Sequence, residues 1–167
     1  MIRPLFIAIV LVASLFACGN YQSKTTDLEI DLKADGPFFA GANSLIGEVQ
    51  FNAASALGVD DFSEISNVTI SKITVELEEE SSFTLDQFGS ATLQLVSDNS
   101  PMTSIAVMNP IVVKDDEINL TVSKEAEVTS FFKDGTFSVL LDLDFLEDSY
   151  EDYINAEVEI NLTVEYK

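Results

Sequence analysis

The feature that most constrains this chain is a two-residue alternation of apolar and polar side chains. Its clearest stretch is the last one, where Ala156, Val158, Ile160, Leu162, Val164 and Tyr166 alternate with Glu157, Glu159, Asn161, Thr163 and Glu165. Successive side chains of an extended chain point to opposite faces, so this run predicts a strand with one apolar face. A run this long is expected to lie centrally in a sheet. Leu28, Ile30 and Leu32 repeat the pattern, as do Ala91, Leu93 and Leu95, then Ile118, Leu120 and Val122, then Phe137, Val139, Leu141 and Leu143. Gly47, Val49 and Phe51 suggest a weaker strand, Ile105 and Val107 a further one, and Ile111-Val112-Val113 a short one. Val68 and Ile70 share a face that Ile73, Val75 and Leu77 continue after a one-residue slip at Ser71-Lys72. A slip of that kind predicts a β-bulge.

Turn chemistry separates these runs at Asp35-Gly36-Pro37, Asp98-Asn99-Ser100-Pro101, Asn109-Pro110 and Asp115-Asp116. Asp61-Phe62-Ser63-Glu64 fits a variant of the capping box, so one helical turn is expected there. A second short helix is expected after Ser123 as N-cap. Glu125 and Glu127 suit its first turns, Val128, Phe131 and Phe132 fall at helical spacing, and Gly135 suits its exit. Asp134-Gly135 also fits a hairpin turn. Seven to nine strands, one-sided alternation and one or two short helices predict an all-β fold. The expected form is an antiparallel β-sandwich, as one domain over residues 27–167.

The first residues follow another pattern. Arg3 gives a positive start, and Leu5 to Phe16 is an apolar run of twelve residues. Such a run is too short for a spanning helix, which needs about 20 apolar residues, and suits a signal peptide over residues 1–17. Leu15-Phe16-Ala17-Cys18 ends it. That tetrapeptide resembles the bacterial lipobox, in which a small residue precedes a Cys that is lipidated and becomes the mature N-terminus. Cys18 is the only cysteine of the chain, so no disulfide competes for it. Residues 18–26 read as the lipidated N-terminus and a short polar tether. The resemblance implies a diacylglycerol and palmitate anchor on Cys18.

The lipobox, the Cys18-Gly19-Asn20 start and an acidic β domain without His or Trp look like the small lipoproteins of Bacteroidota outer membranes. This likeness implies attachment to the outer membrane, because Gly19 rather than Asp follows the Cys. No acidic surface-export signal stands in Gly19 to Asp27, so the likeness slightly favours a domain facing the periplasm over one on the cell surface.

Composition narrows the chemistry. The chain carries 8 Lys+Arg against 29 Asp+Glu, a net charge of −21. Such a field repels nucleic acid and favours cations or basic partners. There is no His, and Arg3 is the only Arg, so the commonest general base and the bidentate anion clamp are both missing from the mature domain. Thiol catalysis and thiolate metal sites are excluded with the cysteines. Neither a glycine-rich phosphate loop nor a nucleophile elbow occurs. No enzymatic role is expected. Calcium is the one cofactor with support from the oxygen ligands. Asp142, Asp144, Glu147 and Asp148 form the leading candidate set, beside Asp115-Asp116-Glu117 and Asp60-Asp61 with Glu64. The bland alternative for all three is solvated acidic loops. Tyr150 and Tyr153 are the candidate ligand contacts, or else amphipathic residues at the end of the fold.

The expected function is therefore a lipid-anchored structural or accessory component of a bacterial envelope complex. It would be held to the membrane by its lipid and would meet an outer-membrane protein partner. The alternative is a binding module that takes glycan, peptide or calcium on its end loops.

Overall fold

The structure, a computed structural model, describes residues 21–58, 62–78, 81–113 and 117–167. Its elements run β1 (Gln22–Asp35), β2 (Gly41–Gln50), α1 (Ala53–Leu57), β3 (Ile65–Leu77), β4 (Phe88–Val96), β5 (Thr103–Met108), β6 (Glu117–Asn119), β7 (Thr121–Val122), α2 (Thr129–Asp134), β8 (Thr136–Phe145) and β9 (Tyr153–Tyr166). Two 3₁₀ turns, Phe62–Glu64 and Leu85–Gln87, precede β3 and β4. All strand pairs are antiparallel, in one sheet of order β6-β3-β9-β1-β2-β8-β4-β5-β7.

The two ends of that order are the same piece of chain, and this makes the fold a nearly closed barrel rather than the expected sandwich. Ile118, Leu120 and Val122 read as one strand in the sequence. In the structure Glu117–Asn119 pairs with Thr74–Glu76 of β3, and Thr121–Val122 pairs with Ala106–Val107 of β5. One run thus bridges both edges of the sheet. Closure removes most of the unpaired edge that an open sheet leaves to solvent.

Strand β9 is central, as its alternation predicts. It lies between β1 and β3 and is matched to β1 without interruption from Gln22↔Tyr166 to Asp35↔Tyr153. Its inward residues from Ile154 to Val164 are essentially sealed from solvent. The β-bulge is also found: the register of β3 against β9 shifts between Ile70 and Lys72. A second bulge was not legible. The register of β4 against β5 shifts between Leu93 and Gln94, so that Ile105 and Ala106 are both buried and Val107 turns outward.

Three local expectations are corrected. Ile111-Val112-Val113 forms no strand, and Val112 is 60% exposed. The helix after Ser123 starts only at Thr129, because Ser123 is still engaged in the seam through its N–H to the Ile105 carbonyl at 2.8 Å. Val128, Phe131 and Phe132 are buried as their spacing implied, and Gly135 ends the helix at φ 75°. Finally, β1 begins at Gln22, inside the stretch expected to be a tether. Polar Gln22-Ser23-Lys24-Thr25-Thr26 hides the strand from a hydrophobic reading, and pairing with β9 recruits it. The expected capping box at Asp61 and the turn at Asp115-Asp116 begin or lie outside the described residues.

The strand directions divide the molecule into two ends. The helix end carries Tyr21, α1, α2, the β4–β5 turn and Lys167. The loop end carries the β1–β2, β3–β4, β5–β6 and β8–β9 connections. Between them one contiguous core of Leu, Ile, Val and Phe fills the barrel. The seam between β1 and β2 rests on one matched pair, Lys33↔Ile46. Here Gly47 permits close approach, since a Cβ would sit 2.5 Å from the Asp31 carbonyl oxygen.

Candidate functional site

The loop end is built on aromatic rings. Phe38, Phe83, Phe88 and Phe145 form one cluster, with Phe145 stacked on Phe38 at 5.1 Å and edge-on to Phe88 at 4.7 Å and to Phe83 at 5.5 Å. Such pairs add about 0.5–1.5 kcal/mol each beyond their burial. Above this floor the connections lace together through backbone groups. Gly36 N–H donates to the Asp152 carbonyl at 2.8 Å, and Phe38 and Ser149 exchange two bonds at 2.9 and 2.8 Å. Leu146 N–H reaches the Gln87 carbonyl and Ile111 N–H the Gly89 carbonyl, both at 3.0 Å. A Cβ on Gly36 would lie 1.9 Å from the Glu151 carbonyl oxygen, so only glycine allows these loops to touch.

With the backbone groups paired inward, the side chains between them face out. Phe39 and Leu146 are each 59% exposed, and Tyr150 reaches 82%. Tyr153 is also exposed, at the first position of β9. Both tyrosines singled out in the sequence therefore stand at the loop end, in an acidic setting that includes Glu147, Asp148, Glu151 and Asp152.

The acidic set proposed for calcium is not gathered. Asp142 lies on the outer face of β8, where its carboxylate accepts from Ser44 Oγ and, at 2.8 Å, from Gln94 Nε2. Asp148 accepts from the Ala40 N–H at 2.8 Å and so ties the β8–β9 loop to the β1–β2 loop. Asp144 is on β8 near Gly89, and Glu147 points to solvent. Among the described residues no three acidic side chains are placed to hold one metal ion. Asp60, Asp61, Asp115 and Asp116, and Cys18 with its lipobox, lie outside the described residues.

A different acidic feature emerges from the register. Glu117, Glu76, Glu157 and Asp31 stand directly opposite one another across β6, β3, β9 and β1, in one row on the outer wall. Glu159 and Glu29 follow in the next row. Like charges opposed across strands repel. Crowding withdraws some water from Glu157, and with the nearby charges of Glu29, Asp31, Glu76 and Glu159 this raises its pKa above the ordinary carboxylate value. The row lies toward the loop end. Nearer the helix end the wall has one neutral row, with Thr25 and Thr163 in mutual hydrogen-bond contact at 3.2 Å, and Glu165 stands beyond it. The alternate-position acids were visible in each strand, but nothing local revealed that they align.

No helix among the described residues is long and apolar enough to cross a membrane. No protein-family model and no curated protein matches the chain.

Proposed function

We propose that this protein is a lipid-anchored accessory component of a bacterial envelope complex, and that it docks a larger protein partner on its loop end. In this reading Cys18 carries the lipid, the outer membrane holds it, and the domain faces the periplasm. The role is binding rather than catalysis. The observation that carries the reading is where β1 begins. Only Gly19, Asn20 and Tyr21 separate Cys18 from β1. Three residues reach about 10 Å at most, so the helix end is held close to the membrane. The exposed Phe39, Leu146, Tyr150 and Tyr153 then face away from it.

A rigid end that offers aromatic side chains within an acidic setting suits a partner surface with an apolar centre and a Lys- or Arg-rich rim. The acidic row on the adjacent wall extends the same complementarity.

The test places a photo-crosslinking amino acid at Tyr150 on the loop end and at Met102, 61% exposed, on the helix end. Irradiation of cells should join Tyr150, and not Met102, to one envelope protein. Crosslinks from Met102 alone would reverse the orientation. In the same cells Cys18→Ser should release a folded, soluble domain, since no disulfide depends on that residue. Retention of that variant in the membrane fraction would remove the anchor from the proposal.

A further inference from the structure

We infer that Lys24 guards an open strand edge of β1 and so keeps two copies of this chain from joining edge to edge. The inference depends neither on the anchor nor on the loop-end contact.

The register fixes which backbone groups lie on that edge. Gly36 follows β1 opposite Asp152 and donates its N–H to the Asp152 carbonyl at 2.8 Å. Backbone groups alternate sides along a strand, so even-numbered residues of β1 turn theirs toward β9 and odd-numbered ones turn theirs away. Lys33 is odd-numbered, and it is the residue of β1 matched to Ile46 of β2. Next to it β2 still covers the edge, since a Cβ on Gly47 would sit 2.5 Å from the Asp31 carbonyl oxygen. Further back, among the described residues, Ser23, Thr25, Asp27 and Glu29 have no strand matched on this side, and all four are exposed. An edge of this kind can be extended by another chain.

The side chains of this stretch depart from the barrel pattern. Inward positions of β1 run from Leu32 and Ile30, both buried, through Leu28 and Thr26, half-buried, to Lys24, exposed. On β9 the inward row stays apolar, and Val164, opposite Lys24, is sealed from solvent. A lysine at an inward position keeps its ammonium in water only while nothing covers the edge.

The edge is otherwise suited to a second copy. Antiparallel pairing of two β1 edges about Thr26 sets Thr25 against Asp27 and Ser23 against Glu29 on the outer face, so no acid opposes an acid. On the inner face it sets Lys24 against Leu28, twice by symmetry. Pairing would press each ammonium onto an apolar side chain and withdraw its water. Lys24 is the residue of the stretch that opposes the contact.

The test is sedimentation velocity of the full chain in detergent over a range of protein concentrations. Lys24→Val makes both inner pairs apolar and relieves both ammonium groups, so self-association should tighten about a hundredfold over the parent. Lys24→Arg keeps the charge and should match the parent. Ser23→Val adds the same side chain on the outer face and should match it too. Adding Thr25→Pro to Lys24→Val should restore the monomer, because the Thr25 N–H faces the open edge and its loss removes no bond to β9. The inference is overturned if Lys24→Val associates no more tightly than the parent. It is overturned equally if Ser23→Val tightens association as much, or if the Lys24→Val dimer survives Thr25→Pro.

Discussion

The two ends of this barrel are stoppered by the same means and finished by opposite ones. Each has a floor of phenylalanines: Phe38, Phe83, Phe88 and Phe145 at the loop end, and Phe51, Phe131, Phe132 and Phe137 at the helix end. Over the second floor lie two short helices whose ends are closed by local caps. Asn52 caps α1 through its side chain and the Ser55 N–H at 2.9 Å, and Gly58 and Gly135 close the two helices in left-handed conformation. Over the first floor there is no α-helix among the described residues, only the 3₁₀ turn Leu85–Gln87, and the loops pair with one another. The difference teaches how a closed barrel makes a surface for binding. Helices turn their apolar faces down onto the core, whereas laced loops spend their backbone groups inward and leave Phe39, Leu146 and Tyr150 outside.

The largest expected effects test whether both floors are equally structural. Phe145→Ala and Phe137→Ala should each cost about 3–5 kcal/mol in urea unfolding, because both rings are buried among other rings. A clearly smaller loss at one end would mean that end is a lid rather than part of the core. Next comes the lacing itself. Gly36→Ala forces a Cβ onto the Glu151 carbonyl and should cost about 2–3 kcal/mol. Amide exchange should then accelerate across residues 146–152 while α1 and α2 keep their protection. Accelerated exchange at both ends alike would show that the loops are not an independent unit.

The helix end gives the smaller counterpart. Asn52→Ala removes the α1 cap and should cost about 1 kcal/mol, with Asn52→Asp largely restoring it. The smallest effect concerns the wall between the ends. The pKa of Glu157 is raised in the folded protein, so its contribution favours folding when the carboxyl is protonated and is lost as pH rises through the raised value. Glu157→Gln should therefore unfold at slightly higher urea than the parent at neutral pH. The gap should close once the pH falls below about 4.5, the unperturbed value. An unchanged midpoint at neutral pH would mean that solvent screens the row.

Much of the barrel was legible in the sequence, for a local reason. Period two decides which side chains turn inward, and it does so residue by residue along β8 and β9. It also exposed the bulge at Ser71, because a bulge interrupts the period. The bulge at Ile105 escaped because Ala106 breaks the alternation too weakly to notice. The candidate site was legible in part. Tyr150 and Tyr153 were legible as residues at one end of the fold, but nothing local marks Phe39 as exposed beside buried Phe38. Asp142 looked like a ligand because its hydrogen-bond partners, Ser44 and Gln94, are on other strands.

The sequence by itself determined most of the strands, their apolar faces, the central place of β9 and a chemistry without His and without any Cys after Cys18. Only the tertiary structure decided that residues 117–122 serve two edges and so turn a sheet into a barrel. It alone decided that Glu117, Glu76, Glu157 and Asp31 share one row. The physical reason is the same in both cases. Alternation fixes the face of a strand, but neighbour and register are set by long-range packing, and no residue carries the identity of the strand beside it.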